Sequence, residues 1–270
     1  MIGNITIGQY LPGESLLHRA DPRTKIILSL YYMILIFIIK TYAGFALALL
    51  FIAAVTLLSG IPVKHTIKGL RPIIVIIIFT AMINIFTTGG TTVFSFYFIK
   101  ITYEGIELAA KMALRLILLV TGASLLTLTT TPISLTDGIE SLMKPLSRIG
   151  VPAHEIAMMM SIALRFIPTL LDEADKIMKA QSSRGADFDT GNLVQKAKSF
   201  IPVLVPLFVS AFRRADELAT AMEARCYRGG VGRTRMRQLR FGRTDFSVAA
   251  IIFLFTCVLA GLEILFRVFV

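Results

Sequence analysis

The sequence predicts an all-α, polytopic membrane protein with about five transmembrane helices and long amphipathic cytoplasmic helices. Hydrophobic residues make up 55% of the 270 positions and charged residues only 17%, which is not the composition of a soluble domain. The apolar residues also form runs that approach the length of a bilayer core, which takes about 20 mostly apolar residues at 1.5 Å each. Between the fourth and fifth of these runs lies a long polar and amphipathic stretch.

Five runs have the apolar character of transmembrane segments, although four or six spans remain compatible with the pattern. The first three runs are short, so flanking Tyr, Thr and Gly residues must complete them. The predicted spans are Ile26–Ile39, Gly44–Leu58, Ile73–Phe86, Met112–Leu128 and Phe246–Phe266. No small-residue cleavage site follows the first run, so we interpret it as a retained span and not as a signal peptide.

The net charge of +11 is distributed in a way that predicts the orientation of the chain. Basic residues cluster at the predicted inner ends of the spans, at Arg19, Arg23, Lys25, Lys64, Lys68 and Arg71. The predicted outer connections carry only Lys40 and Lys100. Because basic residues near span ends stay in the cytoplasm, this asymmetry predicts an inner N-terminus and, after five spans, an outer C-terminus. The charge therefore indicates topology and contact with acidic lipid head groups, and nucleic acid is not an expected partner.

The stretch between the fourth and fifth spans has helical periodicity rather than continuous apolarity. Ser134–Ile149 and Ala153–Ser182 each carry an apolar stripe at steps of three and four residues. A second long helix is predicted from about Leu193 to Arg228, bent near Pro202 and Pro206. The expected organisation is a four-span region over 1–131, a cytoplasmic domain with two long helices over 132–243, and a final transmembrane helix over 244–270.

The residues that usually carry catalysis or ion coupling do not form recognisable sets in this sequence. No Gly-x-x-x-x-Gly-Lys-Ser/Thr phosphate loop occurs, and the histidines (His18, His65 and His154) lack metal-ligand spacing. The first three spans contain no ionisable residue at mid-depth, where a charge is costly unless it is used. We therefore expect neither an enzyme nor a bound cofactor or metal.

Both long helices of the polar stretch end in a small residue, an arginine, and then Gly or Cys. These ends are Ser183-Arg184-Gly185 and Ala224-Arg225-Cys226. One interpretation is helix capping, because a cation stabilises the negative end of the helix dipole. The other is a docking tip, because the planar guanidinium suits carboxylates and small neighbours allow close approach. Methionines behind the ends suit a surface that repacks against partners, although core packing explains them equally well.

Five stretches in the same order resemble the T component of energy-coupling factor transporters, the transmembrane subunit of ABC-type importers for vitamins and for cobalt or nickel ions. They are His18-Arg19-Ala20-Asp21-Pro22-Arg23-Thr24-Lys25, Thr129-Thr130-Thr131-Pro132, Ala163-Leu164-Arg165-Phe166-Ile167-Pro168, Gln181-Ser182-Ser183-Arg184-Gly185 and Ala221-Met222-Glu223-Ala224-Arg225-Cys226-Tyr227. The resemblance implies a multi-pass protein of a prokaryotic cell membrane whose N-terminus and 132–243 domain are cytoplasmic. It also implies that Arg184 and Arg225, with their small neighbours, dock into two ABC ATPase subunits. These would drive a separate substrate-binding membrane subunit, the S component.

The sequence departs from the family pattern at Ser183 and at Cys226. Both residues are small, but Cys226 lacks the backbone freedom of glycine. In the Asp-Pro-Arg-Thr-Lys segment, we expect Asp21 to be a helix N-cap and Pro22 the first helical residue.

Two alternatives to a coupling subunit remain at the level of sequence. One is a conventional ABC permease with its own substrate pathway, which the weakly polar spans disfavour. The other is a membrane-bound enzyme, which the missing catalytic sets disfavour.

Overall fold

The computed structural model describes residues 10–96, 99–188, 191–229 and 239–269. The helices are α1 (Leu16–Arg19), α2 (Pro22–Ile38), α3 (Tyr42–Leu58), α4 (Val63–Thr87), α5 (Tyr103–Thr129), α6 (Pro132–Met143), α7 (Ala153–Ser183), α8 (Leu193–Ser199), α9 (Ile201–Ala224) and α10 (Arg243–Phe269), with a 3₁₀ helix at Lys144–Ile149. Strands β1 (Thr92–Phe96) and β2 (Ile99–Thr102) pair antiparallel in a hairpin between α4 and α5. The all-α, polytopic class predicted from the sequence is confirmed.

Five of the described helices are long and apolar enough to cross a membrane. They are Val63–Thr87, Tyr103–Thr129, Ala153–Ser183, the segment Val194–Ala224, which takes α8 and α9 together, and Arg243–Leu265. Three of them, α4, α5 and α10, contain predicted spans. The first two predicted spans lie instead on α2 and α3, which have 17 residues each and are about 26 Å long. That length is slightly less than a typical hydrocarbon core of about 30 Å.

The chain divides into two compact units. One comprises Gly8–Ile139 together with Gln238–Val270, and the other contains Glu140–Arg237. In the first unit, α2, α3, α5 and α10 share one hydrophobic core that includes Ile36, Phe45 and Leu118. The rings of Phe51 and Phe255 stack with centroids 4.1 Å apart, which joins α3 to α10. This core holds together the four helices that carry the first, second, fourth and fifth predicted spans.

The first turn of α2 is a polar junction that ties three helices of this unit together. Asp21 is the N-cap of α2, with its side chain accepting from the Arg23 N–H, and Pro22 opens the helix, as the sequence predicts. The Asp21 N–H donates to Asp245 Oδ1 of α10 at 2.6 Å. Lys25 is buried, and its ammonium donates to His18 O, Thr129 O and Thr130 Oγ1 at 3.0–3.3 Å. The end of α5 and the start of α10 are therefore both held at the start of α2.

A second polar junction caps the start of α3. Glu263 of α10 accepts hydrogen bonds from the Lys40 N–H, the Thr41 N–H and the Thr41 hydroxyl through one carboxylate oxygen, Oε1, at 2.8–3.1 Å. Arg115 of α5 donates to the Ile39 carbonyl at 2.9 Å. The α2–α3 connection is thus fixed by charged groups from two neighbouring helices.

Prolines explain where the second unit departs from the predicted helices. Ser134–Ile149 was predicted as one amphipathic helix, but α6 ends at Met143 and a 3₁₀ helix follows. Pro145 has no N–H for the α-helical bond and disfavours the α conformation at Lys144. Likewise, the second long helix is divided into α8 and α9 at Phe200, just before Pro202, instead of being only bent. The predicted helix Ala153–Ser182 is confirmed as α7, one residue longer.

Candidate functional site

The end of α7 has a fully formed hydrogen-bonded C-cap centred on Arg184. The N–H of Gly185 donates to Ser182 O and the N–H of Ala186 donates to Gln181 O, both at 3.0 Å. This pair of bonds is the Schellman motif, which requires a left-handed residue immediately after the cap. Gly185 supplies it with φ +88°, and Arg184 takes φ −93° and ψ 8°.

The end of α9 repeats this geometry residue for residue around Arg225. The N–H of Cys226 donates to Glu223 O at 2.8 Å and the N–H of Tyr227 donates to Met222 O at 3.0 Å. Arg225 has φ −91° and ψ 14°, within a few degrees of Arg184. Cys226 adopts φ +55°, and among the described residues it is the one non-glycine residue with positive φ. The missing glycine therefore does not change the conformation of the second end.

The two arginine side chains are exposed and take no part in the caps. Ser183, Arg184 and Gly185 are exposed at one end, and Ala224, Arg225 and Cys226 are exposed at the other. Within the part of the chain that the structure describes, neither guanidinium makes a hydrogen bond or an ion pair. Backbone N–H groups bond to the helix-end carbonyls of both caps, so neither guanidinium serves as a hydrogen-bonding cap. A favourable interaction with the helix dipole needs no such bond, so both interpretations of the arginines stand. Ten donor hydrogens in two planar forks remain available at the surface.

An ion pair joins the two helices at equivalent positions. Arg214 Nη2 of α9 lies 3.0 Å from Glu173 Oε2 of α7. Each partner stands eleven residues before the arginine of its own helix end, so the tips lie at equal distances along their helices from this contact, about 16 Å. The sequence reasoning missed this pair. Its signal was the shared spacing of 41 residues, which separates Glu173 from Arg214 as it separates Arg184 from Arg225.

Two concavities lie along the α7–α9 contact. The first, of about 270 Å³, is lined almost entirely by apolar side chains such as Phe166, Leu170 and Leu218. The second, of about 490 Å³, reaches the second tip, where Met158, Met222, Arg225 and Cys226 line it. Flexible thioethers therefore lie directly behind one of the two exposed arginines.

Similarity to known proteins extends over most of the chain. Residues 13–237 match the model of the CbiQ family, described as a cobalt transport protein. A protein of Ruminiclostridium cellulolyticum named energy-coupling factor transporter transmembrane protein EcfT is 67% identical over 94% of this chain and 96% of its own length. Proteins of the same name are 59% identical in Thermosediminibacter oceani and 55% identical in Clostridium kluyveri, over 90% and 96% of this chain and 92% and 96% of their own lengths.

The apolar helices and these similarities together define a multi-pass transmembrane component of a membrane transporter. The chain belongs to the CbiQ family and, within it, to the T components, the transmembrane proteins of energy-coupling factor transporters.

Proposed function

We propose that this chain is the non-catalytic coupling subunit of an energy-coupling factor importer. It transmits ATP-driven motion from two ABC ATPase subunits to a substrate-binding S component, for the uptake of a vitamin or a transition-metal ion. The single observation that carries this proposal is the pair of matching helix ends. Each presents an exposed arginine, followed by a left-handed residue, at the same distance from a shared ion pair.

Two equivalent tips suit two equivalent partners. An ATPase dimer offers two similar grooves, and a rigid connection between the tips makes them move together when the grooves move. A planar guanidinium is suited to docking because it binds carboxylates or backbone carbonyls with several directed hydrogen bonds. The small neighbours Ser183, Gly185 and Ala224 leave room for a groove wall to approach each arginine closely.

The S component is proposed to rest on the apolar surface of α7 and α9. Large apolar side chains on these helices are exposed, among them Met159, Phe208 and Phe212. Exposed apolar surface of this extent is typical of contact with another membrane protein or with lipid. Because motion of the tips also moves this surface, the arrangement provides a mechanical route from ATPase to S component.

The proposed orientation places the N-terminus and both tips in the cytoplasm of a prokaryotic cell, where ATP is available. It follows from the basic residues that flank the predicted inner span ends. In this orientation α7 and α9 do not cross the membrane although their length would permit it. Their polar residues, including Glu173 and Arg214, favour an interfacial position.

Reversing the charge of both tips tests the proposal. The double variant Arg184→Glu, Arg225→Glu is expected to insert normally into the membrane but no longer to co-purify with the ATPases. Its rate of ATP-driven uptake is expected to fall at least tenfold. The matched control is Lys176→Glu with Arg213→Glu, which changes the same charge on exposed positions of the same two helices away from their ends. Normal uptake by the tip variant would refute the coupling role. Specific binding of the solute by the isolated chain would instead support a conventional permease.

A further inference from the structure

One exposed stripe of α4 changes from basic to apolar along its length. Lys64, Lys68 and Arg71 are followed by Val75, Ile78 and Met82, at successive steps of four, three, four, three and four residues. At 100° per residue, these six positions lie within about 40° of one line along the helix. The three basic residues are exposed, and Val75, Ile78 and Met82 are 72%, 61% and 52% exposed.

The stripe faces away from the rest of its unit. Helix α4 packs on α5 through its other side, where Gly69 is so close to Ser124 that a Cβ at position 69 would lie 3.0 Å from the serine hydroxyl. Gly69 is rotated by about 140° from Lys64 around the helix axis. No other described helix of this unit therefore covers the stripe.

The basic end of the stripe has no internal counter-charge. Within the described ranges, none of Lys64, Lys68 and Arg71 forms an ion pair with a carboxylate. The sequence itself contains no Asp or Glu between residues 22 and 103. Three uncompensated cations on one face attract an anion, and each basic residue near a membrane surface favours anionic lipid by a factor of about five.

We propose that this stripe is a binding site for one anionic phospholipid of the bilayer leaflet that meets the start of α4. Lys64, Lys68 and Arg71 extend over about 10 Å and hold the phosphate and the negatively charged head group. Val75, Ile78 and Met82 continue over about 16 Å from Arg71, roughly half of a hydrocarbon core, and contact one acyl chain. The basic residues alone would suit any anion, and the apolar residues alone would suit any apolar surface. Their alignment on one helix face matches a phospholipid, which has both an anionic head group and an acyl chain.

Lipid retention by the full-length protein in detergent tests this site. After exchange into equal amounts of phosphatidylglycerol and phosphatidylcholine with the same acyl chains, native mass spectrometry is expected to find phosphatidylglycerol at least tenfold enriched on the protein. Substitution of the basic residues, Lys64→Gln with Lys68→Gln and Arg71→Gln, removes this enrichment. The control, Lys176→Gln with Lys179→Gln and Lys198→Gln, removes the same charge from exposed positions on α7 and α8. This control is expected to retain the phosphatidylglycerol enrichment.

Two further arms separate the site from simpler explanations. The single variant Arg71→Gln leaves two basic residues to set the topology and is expected to weaken phosphatidylglycerol retention about fivefold. A photo-reactive residue in place of Val75 is expected to crosslink to phospholipid in the intact transporter. Equal retention of both lipids, full displacement by free glycerol phosphate, or a crosslink to protein alone would each overturn the proposal.

Discussion

Cys226 is in a backbone conformation that glycine normally supplies. A side chain at positive φ costs about 1 kcal/mol, and Gly185 avoids that cost at the first tip. The Schellman bonds are nevertheless formed at both ends, so the cap at the second end tolerates this cost. Sequence reasoning singled out both arginines from the matching helix ends and noted that Cys226 lacks the backbone freedom of glycine. It did not predict that Cys226 adopts the same left-handed conformation as Gly185, because dihedral angles are not visible in a motif.

Substitutions at the left-handed residue are predicted to have opposite effects on the two helix ends. Gly185→Ala is expected to weaken the first cap by about 1 kcal/mol, which accelerates hydrogen exchange at amides 185 and 186 about fivefold. Cys226→Gly is expected to slow exchange at amides 226 and 227 by up to a similar factor. Mass spectrometry after deuterium labelling, corrected for intrinsic rates, measures both. Equal changes of the same sign would contradict the strain that we assign to Cys226.

Lys25 is predicted to be the most sensitive residue of the α2 junction. Lys25→Met removes the donor from three oxygen acceptors, two of which are backbone carbonyls in buried or half-buried surroundings. Unsatisfied buried acceptors cost about 1–3 kcal/mol each, so we expect the melting temperature in detergent to fall by about 5 °C or more. The control Lys40→Met replaces an exposed lysine and is expected to change the melting temperature by less than about 2 °C. A similar small shift for both variants would refute the role of Lys25.

At the scale of helices, apolar and amphipathic patterns located most elements correctly but not their ends or breaks. The predicted helix over Ala153–Ser182 is confirmed. The end of α6 and the α8–α9 break were placed wrongly, because prolines compete with periodicity over only a few residues. The Glu173–Arg214 contact was missed because an ion pair between helices depends on how they pack, and the sequence pattern describes each helix alone.

This ion pair is predicted to matter for coupling more than for stability. Its side chains are 25% and 37% exposed, so a double-mutant cycle is expected to give only about 1 kcal/mol. Glu173→Arg alone is expected to reduce ATP-driven uptake several-fold by loosening the connection between the tips. The exchanged pair, Glu173→Arg with Arg214→Glu, restores the attraction and is expected to recover most of the uptake. Failure of the exchange to recover any uptake would show that the charges act separately.

At the scale of the whole molecule, the position of α7 and α9 relative to the membrane decides the topology. Both helices meet the length and composition of spans, whereas α2 and α3 are shorter. Sequence patterns do not separate a helix that crosses a bilayer from one that lies on it when both are apolar on one side. Basic residues at the inner span ends are therefore the main guide to orientation.

Thiol labelling of the two tips separates these topologies. With Cys257→Ser, the native Cys226 is expected to react with an impermeant maleimide only in inside-out vesicles. With both cysteines replaced by Ser, Ser183→Cys is expected to behave identically, because neither α7 nor α9 crosses. A crossing α9 would place the two thiols on opposite sides, because α8 and α9 are the helices between Ser183 and Cys226. Lys40→Cys, in the same cysteine-free background, is the control and is expected to react from the outer side.

The α2 junction has a consequence for how the chain can be recombined. Gly138 packs on Pro22, and Arg23 donates to the Leu239 carbonyl at 3.3 Å, so the chain departs from the first unit and returns to it beside the same helical turn. Segments whose two attachment points are neighbours can be transplanted as cassettes with little rearrangement of the host. Residues 140–237 are therefore expected to be exchangeable between relatives as one piece.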